Sequence, residues 1–284
     1  MADGTTKRAF VLGWPVKHSR SPLIHGYWLQ RHGLRGTYEK VECGPDDLTE
    51  FVRKFRNGDF VGGNVTLPHK AAVFALAEKV DETARMLGAA NTLWLEGDTI
   101  CVTNTDVYGF LANLDERVPH WSRPEQCQRG AVVAGAGGAA RAVIYALQQR
   151  GFEQVWIANR TVEKAQRLAR HFGEPCRAIG FDDLPKDAVK AAVMVNTTSV
   201  GMGDGAMPIN PTMFARDTVV CDIVYSPLMT PLLERAKMSG MPYVDGLGML
   251  LHQAVPGFEK WFGVRPDVDD TVRNIVLRDL GERA

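Results

Sequence analysis

The sequence predicts an α/β protein of two domains: an N-terminal α/β domain with a mixed sheet, then a doubly wound domain, with C-terminal helices returning to the first. Three observations carry this. Short apolar runs alternate with amphipathic stretches from Phe10 onward. A polar stretch holding Pro119 and Pro124 interrupts the pattern at 118–130, and a fresh strand-helix-strand-helix run starts at Ala131. A chain of 284 residues, 45% of them hydrophobic, is long enough to bury two cores.

In the first domain the pattern predicts a strand at 10–13, a helix over 22–32, a strand at 38–42, a helix over 46–56 and a strand at 61–65. Residues 91–96 and 99–104 flank Gly97-Asp98 and read as a hairpin, adding an antiparallel edge to a mostly parallel sheet. A helix over 107–117 follows, and 118–130 reads as a surface connection between domains. The second domain runs strand 131–135, helix 138–150, strand 154–158 and helix 162–171, with later strands at 193–197 and 219–224. The remainder, 247–262 and 268–280, is helical, and Gly246-Leu247-Gly248 ahead of it reads as a hinge, with another near Val107. This division gives 1–107 and 245–284 to the first domain and 108–244 to the second.

Composition excludes several functions. Lys+Arg and Asp+Glu both total 33, so no basic excess exists to neutralise a nucleic-acid backbone. The 5 cysteines are odd in number and lack a CxxC pair, which fits neither a disulfide framework nor a zinc site; reduced thiols of a cytoplasmic protein are expected. The polar first residues do not form a signal peptide and no run reaches spanning length, so no membrane association is expected. His18, His25 and His32 recur at a regular spacing, but without an HExxH or comparable ligand pair no metal site is expected.

Gly135-Ala136-Gly137-Gly138-Ala139-Ala140 follows a predicted strand and opens a predicted helix, the context of the G-x-G-x-x-G/A dinucleotide fingerprint. The first glycine permits a tight turn, the second lets backbone N–H groups approach a pyrophosphate, and small Ala140 lets helix meet strand. After the next strand, where an NAD enzyme places Asp or Glu for the ribose 2′-hydroxyl, stand Asn159-Arg160-Thr161, with Lys164 one turn on. These cations and neutral hydrogen-bonding groups form a clamp for a 2′-phosphate, and NADP is the expected cofactor. The alternative is a solvated helix start, in which two cations oppose the helix dipole.

In the first domain, Ser19 and Ser21 follow a strand at a helix start and read either as N-caps or as hydroxyls for a ligand. Thr66, Pro68 and Lys70 follow another apolar strand, and strand ends in α/β sheets are where ligands bind. Asn91 at the start of the hairpin and Asp106 just past its end bring an amide and a carboxylate to the same region. One Lys and one Asp placed there would form a proton-transfer pair.

Together these residues resemble the shikimate dehydrogenase family over almost the whole chain. The motifs GxPxxxSxSP (from Gly13), NVTxPxK (from Asn64), Ala89-Ala90-Asn91-Thr92 and Asn104-Thr105-Asp106 with Gly109 are intact. So are the GAGGAAR loop, Asn159-Arg160-Thr161 and the stretch from Asn196 to Met202. The resemblance implies a substrate domain and a Rossmann-type NADP domain. It makes Lys70 and Asp106 the catalytic pair, and Ser19, Ser21, Thr66, Asn91 and Gln253 the ligands of shikimate's hydroxyls and carboxylate. Tyr225 and Gly246 would line the cleft, and Thr197, Thr198, Ser199 and Met249 would lie near the nicotinamide, with Gly246 counted on the cofactor side. The implied reaction is NADPH-dependent reduction of 3-dehydroshikimate, a step towards aromatic amino acids, carried out by a monomer or homodimer. Two other readings compete. A quinate/shikimate dehydrogenase preferring NAD is opposed by the Asn159-Arg160-Thr161 clamp. A non-catalytic NADP sensor would have no use for Lys70 and Asp106 beside two serines.

Overall fold

The computed structural model describes residues 6–202 and 207–282; of the polar N-terminal stretch noted above, residues 1–5 lie outside the described residues. The chain divides into two units, one running to Asp106 and resuming at Gln253, the other spanning Val107–His252.

The first unit contains β1 (Lys7–Gly13), α1 (Ser21–Arg31), β2 (Gly36–Glu42), α2 (Leu48–Arg56), β3 (Gly62–Val65) and α3 (Lys70–Leu76). There follow β4 (Lys79–Val80), α4 (Glu82–Leu87), β5 (Thr92–Glu96) and β6 (Thr99–Thr103). The 6 strands form one mixed sheet in the order β2-β1-β3-β5-β6-β4. β5 runs antiparallel to both β3 and β6, as the hairpin pattern predicts. The hairpin is not the edge, however: β4, too short to carry a period, pairs in parallel outside β6.

Alternation along β1 sends Phe10 and Leu12 to one face of the sheet, where Phe10 meets Phe51, Phe55 and Phe60 edge to face. A second aromatic cluster is completed by α11 (Ala254–Phe262), which places Phe258 and Trp261 against His25, Trp28 and Tyr38. Trp261 donates its indole N–H to the Leu93 carbonyl at 3.1 Å. α12 (Asp270–Asp279) is capped by Asp269, which accepts from the Val272 amide (2.9 Å) and from Tyr27 Oη (3.1 Å). Both terminal helices thus return to the first unit.

The second unit comprises α5 (Asp106–Arg117, starting at the unit boundary), α6 (Pro124–Arg129), β7 (Ala131–Ala134), α7 (Gly138–Gln149), β8 (Val155–Ala158) and α8 (Val162–Phe172). It continues through β9 (Cys176–Ile179), β10 (Val193–Asn196), β11 (Val219–Asp222), α9 (Pro231–Met238), β12 (Tyr243–Val244) and α10 (Leu247–His252). Its 6 strands are all parallel, ordered β12-β11-β10-β7-β8-β9. Every residue of β7, β8, β10 and β11 is buried, as expected of a parallel sheet covered on both faces. The strand order reverses between β7 and β10, and the carboxyl ends there form the crevice where such sheets bind ligands.

Three expectations need correction. Residues 118–130 lie at the surface, most of them exposed or half-buried, but they belong to the second unit rather than connecting the two: α6 forms there, and Trp121 is 2% exposed, stacked on Phe152 with centroids 5.6 Å apart. Pro124 opens that helix at its first turn, where a proline costs no hydrogen bond. The stretch 247–262 is two helices, and α10 belongs to the second unit, so the chain leaves that unit after His252 rather than at 245. Gly246, read as part of a hinge, is a close-packed corner where a Cβ would collide with the Ile223 backbone. Gly248 faces Asn113, whose amide donates to the Asp245 carbonyl at 2.8 Å.

Candidate active site

Topology gathers the first unit's polar residues at one end of its sheet. β1, β3 and β6 deliver their C-termini to that end, and antiparallel β5 delivers its start, since Thr92 pairs with both Asn64 and Thr103. Two strand-end loops are zipped together there, Thr66 N–H donating to the Leu12 carbonyl (2.8 Å) and Trp14 N–H to that of Leu67 (3.0 Å). Ser19, Ser21 and Thr66 stand on these loops and the start of α1. The capping expectation for the serines is met only in part. The cap residue of α1 is Arg20, Ser21 is already helical, and the Ser21 N–H donates to Ser19 Oγ at 3.3 Å.

Lys70 opens α3 and Asp106 opens α5, and their side chains meet with Nζ 2.6 Å from Oδ2. The Lys70 side chain is 27% and that of Asp106 19% exposed, so solvent screens the pair less than it would a surface ion pair. Asn91 donates from Nδ2 to the other oxygen of Asp106 at 2.8 Å. The Asn91 oxygen accepts from the Thr105 amide (2.8 Å) and the Thr92 hydroxyl (2.9 Å). Thr105 Oγ1 also reaches Gln253 Oε1 at 3.5 Å, so the segment before Asp106 is tied to the first residue of the returning chain. Asn104 accepts from the Asp106 amide (3.0 Å) and fixes the turn. The structure therefore unites Lys70, Asn91 and Asp106 in direct contact, with Gln253 one residue removed.

Sequence reasoning gave no role to Thr92, Asn64 or Tyr38, which lie behind this constellation. The signal was an Asn and a Thr inside otherwise apolar, buried strands, where a polar side chain requires partners. Burial holds the Tyr38 phenol well above its ordinary range, so it remains a donor.

In the second unit the loop after β7 turns at Gly135, whose φ is +113° and where a Cβ would lie 2.5 Å from Thr197 Oγ1, so there is no room for a side chain. Gly137 is the cap of α7, and a Cβ on Gly137 or Gly138 would meet nothing. Internal packing therefore does not explain either glycine, and the backbone at both is open to close approach. The helix-start amides are free of any side-chain cap and of acidic side chains, a donor set fitting a pyrophosphate next to Ala136 and Ala139. Asn159 turns its amide onto the Thr161 carbonyl (2.8 Å), and Arg160, Thr161 and Lys164 are exposed at the start of α8. Neither cation forms an ion pair among the described residues, so both remain available to a phosphate.

The loop after β10 is built around Asp222. This buried carboxylate accepts from Asn196 Nδ2 (3.0 Å), the Val224 amide (3.0 Å) and Thr230 Oγ1 (2.7 Å). Burial pushes its pKa up, and the three donors offset part of that rise. Asn196 in turn accepts from both the amide (3.0 Å) and hydroxyl (2.7 Å) of Thr198, while Thr197 Oγ1 donates to the Ala134 carbonyl (2.8 Å). Thr197 and Thr198 are thus placed against the Gly135 turn, with Ser199 next in the chain; Tyr225 follows β11 and Met249 lies half-buried on α10. Among the described residues no group of His, Cys, Asp or Glu has a metal-binding arrangement, and no helix is long and apolar enough to cross a membrane.

Three family models match the chain: a shikimate dehydrogenase substrate binding domain over residues 11–93, a shikimate/quinate 5-dehydrogenase over 122–202, and a shikimate 5′-dehydrogenase C-terminal domain over 246–273. A shikimate dehydrogenase (NADP+) of Rhizobium meliloti is 54% identical over 279 residues, 97% of this chain and 96% of that one. Among solved structures, shikimate 5-dehydrogenase of Thermus thermophilus in complex with NADP(H) and shikimate superposes with a TM-score of 0.84 at 36% identity, covering 96% of this chain and 99% of that one. Quinate dehydrogenase of Corynebacterium glutamicum in complex with NAD gives 0.86 at 29% identity, covering 96% and 99%.

Proposed function

The chain belongs to the shikimate dehydrogenase family, and on that footing we propose that Lys70 and Asp106 move the proton in the reversible reduction of 3-dehydroshikimate to shikimate. The balance is 3-dehydroshikimate + NADPH + H⁺ → shikimate + NADP⁺. Bound NADPH supplies the hydride. The observation that carries the assignment is the 2.6 Å contact between Lys70 Nζ and Asp106 Oδ2. Lys70 donates a proton to the ketone oxygen as negative charge gathers on it, and accepts one in the reverse direction. Asp106 holds the ammonium in place and shares its proton, so the acid is the pair rather than either group.

Ser19, Ser21, Thr66, Asn91, Tyr225 and Gln253 bind the hydroxyls and carboxylate of shikimate. Gly135, Ala136, Gly137, Gly138 and Ala139 hold the pyrophosphate, Asn159, Arg160, Thr161 and Lys164 hold the 2′-phosphate, and Thr197, Thr198, Ser199, Gly246 and Met249 surround the nicotinamide. A formal net charge of zero and five buried free thiols support a cytoplasmic enzyme, monomeric or homodimeric, without nucleic-acid or membrane partners.

The test is the initial rate of NADPH formation from shikimate. Lys70→Ala is expected to lower kcat about 10²–10⁴-fold with little change in shikimate KM; near-parental kcat would remove Lys70 from catalysis. Efficient quinate oxidation with NAD in the same assay would favour the quinate reading over this one.

A further inference from the structure

Behind the Lys70–Asp106 pair runs a file of buried side chains whose hydrogen bonds all point the same way. Tyr38 Oη donates to Asn64 Oδ1 (2.6 Å), Asn64 Nδ2 to Thr92 Oγ1 (3.0 Å), Thr92 Oγ1 to Asn91 Oδ1 (2.9 Å), and Asn91 Nδ2 to Asp106 Oδ1 (2.8 Å). Obligate donors and acceptors fix the orientation of both amides in it. A carboxylate paired with Lys70 only accepts, so Asn91 must turn its NH₂ towards Asp106. Its oxygen then faces the Thr105 amide, which only donates, and the Thr92 hydroxyl. The Asn64 NH₂ faces the Asn91 backbone carbonyl (3.2 Å), which only accepts, as well as Thr92 Oγ1, so the Asn64 oxygen is left for the Tyr38 phenol; the Thr92 hydroxyl takes Asn91 Oδ1 (2.9 Å) as its nearest acceptor, with Thr105 Oγ1 farther at 3.4 Å.

The sheet register makes this file possible. Asn64 and Thr92 are cross-strand partners, and cross-strand partners point to the same face. Tyr38 lies two strands from Asn64, beside Ala9 of the intervening β1, whose small side chain lets the phenol reach across. None of these four polar residues is more than 8% exposed.

We propose that Thr92 and Tyr38, acting through Asn64 and Asn91, are positioning residues for the reaction, a directional chain that fixes the Asn91 amide so that it donates to Asp106. This rests on the catalytic-pair reading above. Each donation polarises the next, so the last link is stronger than an isolated amide contact. Cutting a middle link leaves the Asn91 oxygen to the Thr105 amide and hydroxyl alone, removes the polarising donation from Thr92 and so weakens the Asn91 donation to Asp106; the carboxylate then takes up a proton more readily. The titratable groups facing the chain are Lys70 from α3 and Asp106 from α5 at its foot, and His25 from α1, stacked on Tyr38, at its head. α11 contributes Trp261 and no charge.

The experiment is the pH dependence of kcat and KM for shikimate oxidation in the full-length enzyme carrying Thr92→Val, Thr92→Ser, Tyr38→Phe or Lys70→Ala. Thr92→Val is expected to lower kcat about tenfold and move the acid limb of the kcat profile to higher pH, with shikimate KM within about threefold of the parent. Thr92→Ser keeps the hydroxyl and should restore both. Tyr38→Phe, at the remote end, should move the limb in the same direction by less. Parental kcat and limb in Thr92→Val overturn the proposal, as does equal impairment in Thr92→Ser, which would make the effect one of packing. Should Thr92→Val not fold, an unmoved limb in Tyr38→Phe overturns it instead. If Lys70→Ala keeps parental kcat, the catalytic pair itself is at fault; if Lys70→Ala is inactive while Thr92→Val behaves as parent, only the chain is.

Discussion

Mild acid is expected to destabilise the first unit through one buried imidazole. His25 is stacked on Tyr38, with ring centroids 3.9 Å apart, and is flanked by Trp28, Phe258 and Trp261. Neither ring nitrogen makes a hydrogen bond of acceptable geometry. Burial lowers its pKa from 6.5 to about 3, and the nearby Asn64 side chain opposes this only in part. A lowered pKa means that the folded state binds fewer protons than the unfolded one. The stability His25 contributes is therefore present above 6.5 and is lost as the pH falls towards about 3. Between about pH 7 and about pH 5 the unfolded imidazole gains most of a proton and the folded one almost none, a loss of about 2 kcal/mol. Urea unfolding followed by tryptophan fluorescence at the two pH values measures it in the parent and in His25→Phe. Carboxylate effects are common to both proteins, so the difference between them isolates the imidazole. His25→Phe should lose about 2 kcal/mol less on acidification; equal losses would refute the reasoning.

Three further outcomes are expected. Arg160→Ala should cost NADP about 1.5–3 kcal/mol more than NAD, read as the ratio of the two kcat/KM values; an unchanged ratio dissolves the 2′-phosphate clamp. Gly135→Ala puts a methyl group against Thr197 on a left-handed backbone, and calorimetric titration should show NADP binding weakened about tenfold or more. Parental affinity would mean that the turn does not shape the nucleotide loop. Asp222→Ala leaves Asn196, Thr230 and the Val224 amide without their acceptor, at about 1–3 kcal/mol for each donor left unsatisfied. Urea unfolding should register at least about 2 kcal/mol, with a raised NADP KM from the loosened Thr198; a smaller loss contradicts the role given to this carboxylate.

The parts of this protein that a sequence displays are those governed by local periodicity or by a compact motif. β7, β8, β10 and β11 are apolar throughout because both faces are covered, and Gly97-Asp98 marks its hairpin. Lys70 and Asp106 were visible because each ends or follows a recognisable strand. Two-residue strands such as β4 and β12 carry no period and were not foreseen. Pro124 was read as a breaker although it opens α6, and the burial of Trp121 depends on Phe152, a residue far along the chain. Asn64 and Thr92 acquire their meaning only from the register that sets one beside the other, which no local pattern encodes.

The first unit is discontinuous, and this imposes an order on its making. Residues 107–252 leave the ribosome as one contiguous unit with its own sheet, whereas His25, Trp28 and Tyr38 wait for Phe258 and Trp261, translated after that entire unit. A nascent chain arrested before α11 therefore leaves the aromatic rings of its earlier half without Phe258 and Trp261 to cover them, the kind of exposed apolar surface that favours aggregation.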